Sequence, residues 1–164
     1  MTKAYVKNRS YEILTEDDLA VLRDLSCEQR ELFFSRNPHL KRAFKDRLIA
    51  IALCQGAAQH FVDRSTGVKD FDIWWFYPEH PTARYPHRAR KEVYCSLPRF
   101  GTRRVDLMGR AIDSRIVRHY SGDPIACIRE YLRQGRTETA SLLARKAVVG
   151  LHPCTIYDKI IWPE

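Results

Sequence analysis

Three aspartates are the residues of this chain best suited to metal-assisted phosphate chemistry. Asp70 and Asp72 flank Phe71, and Asp106 sits within Val105-Asp106-Leu107. Carboxylates at i and i+2 of a strand project to one face, with their backbone positions about 7 Å apart. An adjacent strand lies about 4.8 Å away, so a third carboxylate there can reach the same ion. Such hard oxygen donors suit Mg²⁺, with Mn²⁺ as its substitute, the usual escort of nucleotide phosphates. Like charges this close repel, and a cation or a proton between them relieves the cost. In-line transfer of a nucleotidyl group uses two such cations about 3.5–4 Å apart.

Phosphates also need donors. A glycine where a strand gives way to a helix offers backbone N–H groups and the positive end of the helix. Gln55-Gly56-Ala57 stands in that place, upstream of the acidic pair, and Lys69 directly precedes Asp70. The formal net charge of +8 is uneven: residues 78–119 hold ten Arg or Lys against four acids. A basic zone beside an acidic cluster fits a phosphate-rich substrate with metal between the two. Arg84, Arg88, Arg90, Lys91, Arg103 and Arg104 are the candidates to hold an acceptor or a phosphate tail. The loop 84–91 interleaves basic residues with Tyr85, a composition that can grip single-stranded nucleic acid or form a solvated basic loop. His80, His87 and Cys95 match no common zinc spacing.

Local signals place these residues on elements. Thr15 reads as a helix cap followed by Glu16, Asp17 and Asp18, with Leu14 and Leu19 at staple spacing, and the helix should reach about Phe34. Asn37-Pro38 starts a second, basic helix. Leu48 to Cys54 is a continuous apolar run whose last part reads as a strand, and a short helix follows over Ala57 to Val62. Asp63 to Lys69 is a polar turn. Lys69 to Tyr77 is rich in aromatic residues and reads as a strand, which argues against a surface turn for the acidic pair. Trp74 and Trp75 should face opposite sides of it. Residues 78–102, with four prolines, read as a long basic loop with a short strand at Val93 to Leu97. Arg103 to Ile112 reads as another strand. Asp123-Pro124 starts a helix that Gly135 ends, and Thr137 caps a final helix whose apolar stripe includes Ala147 and Val148. The tail Ile156 to Trp162 should dock on the body.

With 164 residues, the chain suits one domain with one core. No apolar run approaches the ~20 residues that cross a bilayer, so no membrane role is expected. Five scattered cysteines without a CxxC pair disfavour a disulfide framework or zinc ribbon, and a reducing cytoplasm is the simplest compartment.

A strand ending in Gly, a helix, Asp-hydrophobic-Asp-hydrophobic and a later hydrophobic-Asp-hydrophobic strand resemble the nucleotidyltransferase superfamily of the DNA polymerase β type. Here the pattern is Cys54-Gln55-Gly56-Ala57, then Asp70-Phe71-Asp72-Ile73, then Val105-Asp106-Leu107. The resemblance covers roughly residues 47–112 and rests on spacing. It implies an α+β (α/β) domain spanning 1–164, whose short mixed sheet carries the acids, with helices before and after packing on one face. It implies Asp70, Asp72 and Asp106 as ligands of two Mg²⁺ ions, with Asp106 also activating the attacking hydroxyl. The turn at Gln55, Gly56 and Ala57 would hold the triphosphate. The expected reaction moves a nucleoside monophosphate from a nucleoside triphosphate to a hydroxyl acceptor. The family usually carries serine or glycine where this chain has Ala57, so a hydroxyl contact to the triphosphate is lost while the backbone donors remain. The alternatives are an inactive nucleotide- or RNA-binding module of the same fold, and a metal-dependent phosphodiesterase or nuclease. The chain is short for this superfamily, so a homodimer or a partner protein would complete the cleft.

Overall fold

A computed structural model describes residues 4–86 and 90–164. Helix α1 (Glu16–Arg36) starts where the capping signal predicts. The Thr15 hydroxyl accepts from the Asp18 N–H at 3.2 Å, and the Asp18 carboxylate accepts from the Thr15 N–H at 2.9 Å. Two orphan donors of the first turn are thereby satisfied, and Leu14 and Leu19 are both buried beside them. Helix α2 (Pro38–Phe44) follows with proline in its first turn. Strand β1 (Ala50–Cys54) runs directly into α3 (Gln55–Asp63), and β2 (Phe71–Pro78), β3 (Lys91–Leu97) and β4 (Gly101–Ile112) come next. Helices α4 (Ser114–His119), α5 (Pro124–Gln134) and α6 (Glu138–Ala144) precede β5 (Ala147–His152) and β6 (Ile160–Trp162).

The strands form one six-stranded sheet in the order β3-β4-β2-β1-β5-β6. Only β2 and β4 are parallel neighbours, so the sheet is mixed. The fold is therefore α+β, with Asp72 and Asp106 carried by a mixed sheet between helices.

Strand alternation divides the core in two. Ile51, Leu53, Ile73, Trp75 and Leu107 pack with Leu19, Leu22 and Phe34 of α1 and Ala57 and Ala58 of α3. Ala52, Trp74, Phe76 and Val148 pack with Ile116, Ile128, Leu132 and Leu143 of α4 to α6. The two tryptophans thus face opposite sides, and both are buried. Trp75 donates its indole N–H to Ser26 Oγ at 2.6 Å, which satisfies a polar tip inside the core. Helices cover both faces of the sheet, not one: β2 and β1 carry large apolar residues on both sides, and neither side can be left to water.

Two further expectations are corrected. The final helix stops at Ala144, and Ala147 and Val148 open β5, a strand beside β1 that is buried from Ala147 to Leu151. The run 147–151 carries no polar side chain on either face and has two β-branched valines, as suits a central strand. The basic loop is shorter than 78–102, because β3 and β4 form a hairpin turning at residues 98–100. The tail docks as expected, with β6 pairing at the sheet edge. Among the described residues no helix is long and apolar enough to cross a membrane.

Candidate functional site

One row across the sheet gathers the chemistry. Cys54 of β1 pairs with Asp72 of β2, Asp72 with Asp106 of β4, and Asp106 with Glu92 of β3. Paired residues on neighbouring strands project to the same face, so three carboxylates and a thiol line up side by side. Asp70 precedes β2 by one residue and lies on a bend, not on the strand. The expected strand pairing of Asp70 with Asp72 is replaced by a cross-strand pairing of Asp72 with Asp106.

Two arginines stand among these acids. Arg104 Nη2 lies 3.0 Å from Asp70 Oδ2, and Arg104 Nε lies 3.4 Å from Asp106 Oδ1. Arg90 Nη2 lies 2.6 Å from Asp106 Oδ2 and 3.4 Å from Glu92 Oε1. Asp106 is buried, at 3 % exposure. Its Oδ1 and the Arg104 Nε are close enough to attract but misaligned, and neither has a hydrogen-bond partner. A buried carboxylate oxygen without a donor is costly and marks the place where a further ligand would be welcome. Asp72 makes no ion pair within 4 Å among the described residues. Burial, then the negative charges of Asp70 and Asp106, push its carboxyl up to about 7, with Arg90 and Arg104 opposing. Burial and the neighbouring Asp72 push the Cys54 thiol well up, which makes it a packing group.

Beside the acids a cleft of about 140 Å³ is lined by Gln55, Gly56, Ala57, Lys69, Asp70 and Asp72. They include the phosphate-binding candidates of the sequence and two of its three metal candidates; Asp106 does not line the cleft. Arg9, Gly67 and Lys146 also line it. The first turn of α3 lines this cleft uncapped: Cys54, its capping residue, makes no side-chain hydrogen bond to the helix N–H groups, and its thiol donates back to the Ala52 carbonyl at 3.7 Å. Gln55 holds φ +60° at the strand-to-helix junction. That left-handed conformation costs about 1–2 kcal/mol in a residue with a Cβ, and such strain gathers at functional turns. A Cβ on Gly56 would meet Thr66 Cγ2 at 3.6 Å and Lys146 Nζ at 3.9 Å, ordinary contacts. Packing therefore does not demand glycine there.

The turn that brings Lys69 and Asp70 to the cleft is pinned from below. The buried His60 donates through Nε2 to the Glu12 carbonyl at 2.8 Å and accepts the Gly67 N–H at Nδ1 at 3.1 Å. Gly67 has φ +72°, and the Tyr11 ring lies 3.0 Å from where its Cβ would be. Glycine is the residue that fits both demands. Arg103, a sequence candidate for phosphate, is a second pin. It lies on the opposite face of β4 from Asp106, is 3 % exposed, and donates to the carbonyls of Phe100, Val68, Lys69 and Asn8.

The other candidates separate. Arg90 and Arg104 join the acids. Lys91 pairs with Leu107 in the ladder and points away from them. Arg84 lines a larger cavity at the other end of β2 and β4. Arg88 and His87 lie outside the described residues. Sequence reading missed Glu92, Arg9 and Lys146. Glu92 lies just before the strand expected at Val93 to Leu97, and its register with Asp106 is set by the hairpin. Lys146 comes from the α6–β5 turn, and no local signal ties it to Gly56.

Among the described residues no group of three His, Cys, Asp or Glu is arranged to hold a metal ion, and Arg90 and Arg104 pair with Asp106 and Asp70. The donor set still fits Mg²⁺ in kind: oxygen ligands only, an unpartnered Oδ1 on Asp106 and a strained charge on Asp72. Comparison with protein-family models, with curated proteins and with solved structures returns no match to this chain.

Proposed function

We propose that this domain is a nucleotidyltransferase of the DNA polymerase β type, which moves a nucleoside monophosphate from a nucleoside triphosphate to a hydroxyl acceptor. The observation that carries this reading is the parallel register of Asp72 with Asp106, one strand away from an uncapped, glycine-bearing helix start at Cys54. Asp70, Asp72 and Asp106 would hold Mg²⁺ or Mn²⁺. When bound, the ions neutralise the triphosphate and acidify the attacking hydroxyl. The chain's own residues do the rest. Backbone N–H groups of Gly56 and Ala57, with Lys69, Lys146 and Arg9, hold the phosphate oxygens. Asp106, with its unpartnered Oδ1, accepts the hydrogen bond of the acceptor hydroxyl.

Arg90 and Arg104 must leave the carboxylates for this to happen, and Arg104 is then free to meet pyrophosphate. That requirement favours one second reading, a nucleotide-binding module without turnover, in which the arginines stay and the missing hydroxyl at Ala57 goes unreplaced. Incubation with Mg²⁺ and a triphosphate labelled at the α-phosphorus separates the two. Label transfer with pyrophosphate release, lost in Asp72→Asn, supports the transferase. Binding without release supports the module.

A further inference from the structure

At the other end of the parallel pair, a cavity of about 770 Å³ opens between residues 79–85, the end of β4 and the α5–α6 turn. That volume lies within the ~300–1,000 Å³ range of small-ligand sites. Three arginines from three segments line it: Arg84 of the loop, Arg110 of β4 and Arg136 of the α5–α6 turn. Among the described residues none of them has a carboxylate within 4 Å. Hydrogen bonds tie its walls locally. His80 Nδ1 accepts the N–H groups of Thr82 and Ala83 at 3.2 and 3.0 Å. Thr137 Oγ1, across the cavity, accepts the Ala140 N–H at 3.1 Å and meets the Tyr131 hydroxyl at 2.7 Å. Glu79 and Glu138 also line the cavity, and each offers acceptors.

We infer that this cavity binds a phosphate ester that also carries hydroxyl or amino donors, as a mononucleotide or one unit of a polynucleotide does. Guanidinium groups recognise phosphate in planar, bidentate fashion, and the two glutamates select for the donors. Arg110 follows Asp106 by four residues on β4, about 13 Å along the strand. The site is thus separate from the carboxylates, and it stands whether or not they hold metal.

Two probes distinguish the source of the phosphate: adenosine 5′-monophosphate by calorimetry, and a short fluorescein-labelled single-stranded RNA by anisotropy. Both titrations contain EDTA, so that metal binding at the carboxylates contributes nothing. Arg84 and Arg136 are exposed, so Arg84→Gln with Arg136→Gln should leave the thermal midpoint unchanged. This pair should weaken at least one probe tenfold or more. Arg36→Gln with Arg99→Gln, an equal loss of charge elsewhere on the surface, should change affinity less than about twofold. Loss of the mononucleotide alone identifies a small ligand. Loss of RNA, with the salt slope falling by about 0.7 per arginine removed, identifies a polynucleotide backbone. Equal weakening by both pairs, or no binding of either probe to the wild type, overturns the inference.

Discussion

Asp72 and Asp106 stand directly opposite each other on parallel strands β2 and β4. Neighbouring strands are about 4.8 Å apart, so two carboxylates share a space that one proton or one cation would fill.

Asp72 should cost the fold stability at neutral and alkaline pH. Its carboxyl is raised to about 7 from an ordinary 3.8, so the folded state binds more protons than the unfolded state between those values. Stability therefore falls as pH rises from about 4 to about 7, and the penalty is constant above. Asp72→Asn removes the charge and keeps the shape. Urea denaturation should find it more stable than the wild type by about 1–3 kcal/mol at pH 8 and equal to it at pH 4. A variant less stable at pH 8 would show that the acid is satisfied as it stands.

Arg104 bridges Asp70 and Asp106. Arg104→Gln should destabilise the metal-free protein by about 1–3 kcal/mol, since it leaves the buried Asp106 less compensated. The same substitution should tighten Mg²⁺ binding several-fold, because a guanidinium no longer competes. Isothermal titration with Mg²⁺ reads the second effect and chemical denaturation the first. A loss of both stability and metal affinity would assign Arg104 a purely structural part.

Gly56 offers a separation of binding from folding. Its Cβ would meet only ordinary contacts, and alanine is favoured over glycine within a helix by about 0.5–1 kcal/mol. Gly56→Ala should raise stability by that amount or slightly less. Affinity for a triphosphate should fall tenfold or more, as the methyl group occupies the approach to the first-turn N–H groups. Unchanged nucleotide affinity would move the phosphate elsewhere.

Much of this arrangement is legible in the chain, where cues are local. Thr15, Gly135 and Thr137 punctuate helices at the positions that their side chains or backbone freedom dictate. The Gly56 turn and Asp72 with Asp106 are recoverable because spacing and strand periodicity carry them. What the chain hides is set by tertiary pairing. Ala147 and Val148 continue a helical stripe in sequence, yet the gap beside β1 takes them as a strand. Glu92 enters the acidic row through hairpin register, and Arg9 and Lys146 reach the Gly56 cleft from opposite ends of the chain.

Gly150 tests how firmly that strand locks the tail. A Cβ there would sit 2.1 Å from the Ile156 carbonyl oxygen, a backbone atom that cannot swing aside. Gly150→Ala should destabilise by about 3 kcal/mol, measured as a lowered denaturation midpoint. A neutral effect would mean that the turn between β5 and β6 yields freely.

Under the proposed function, Asp72 and Asp106 together hold a divalent cation for a nucleotide. Electron paramagnetic resonance of Mn²⁺, titrated into the protein with a non-hydrolysable triphosphate, measures it most directly. Bound Mn²⁺ is expected in the wild type, with its loss in both Asp72→Asn and Asp106→Asn and all three folded by circular dichroism. Equal Mn²⁺ binding by the wild type and the two variants would contradict it.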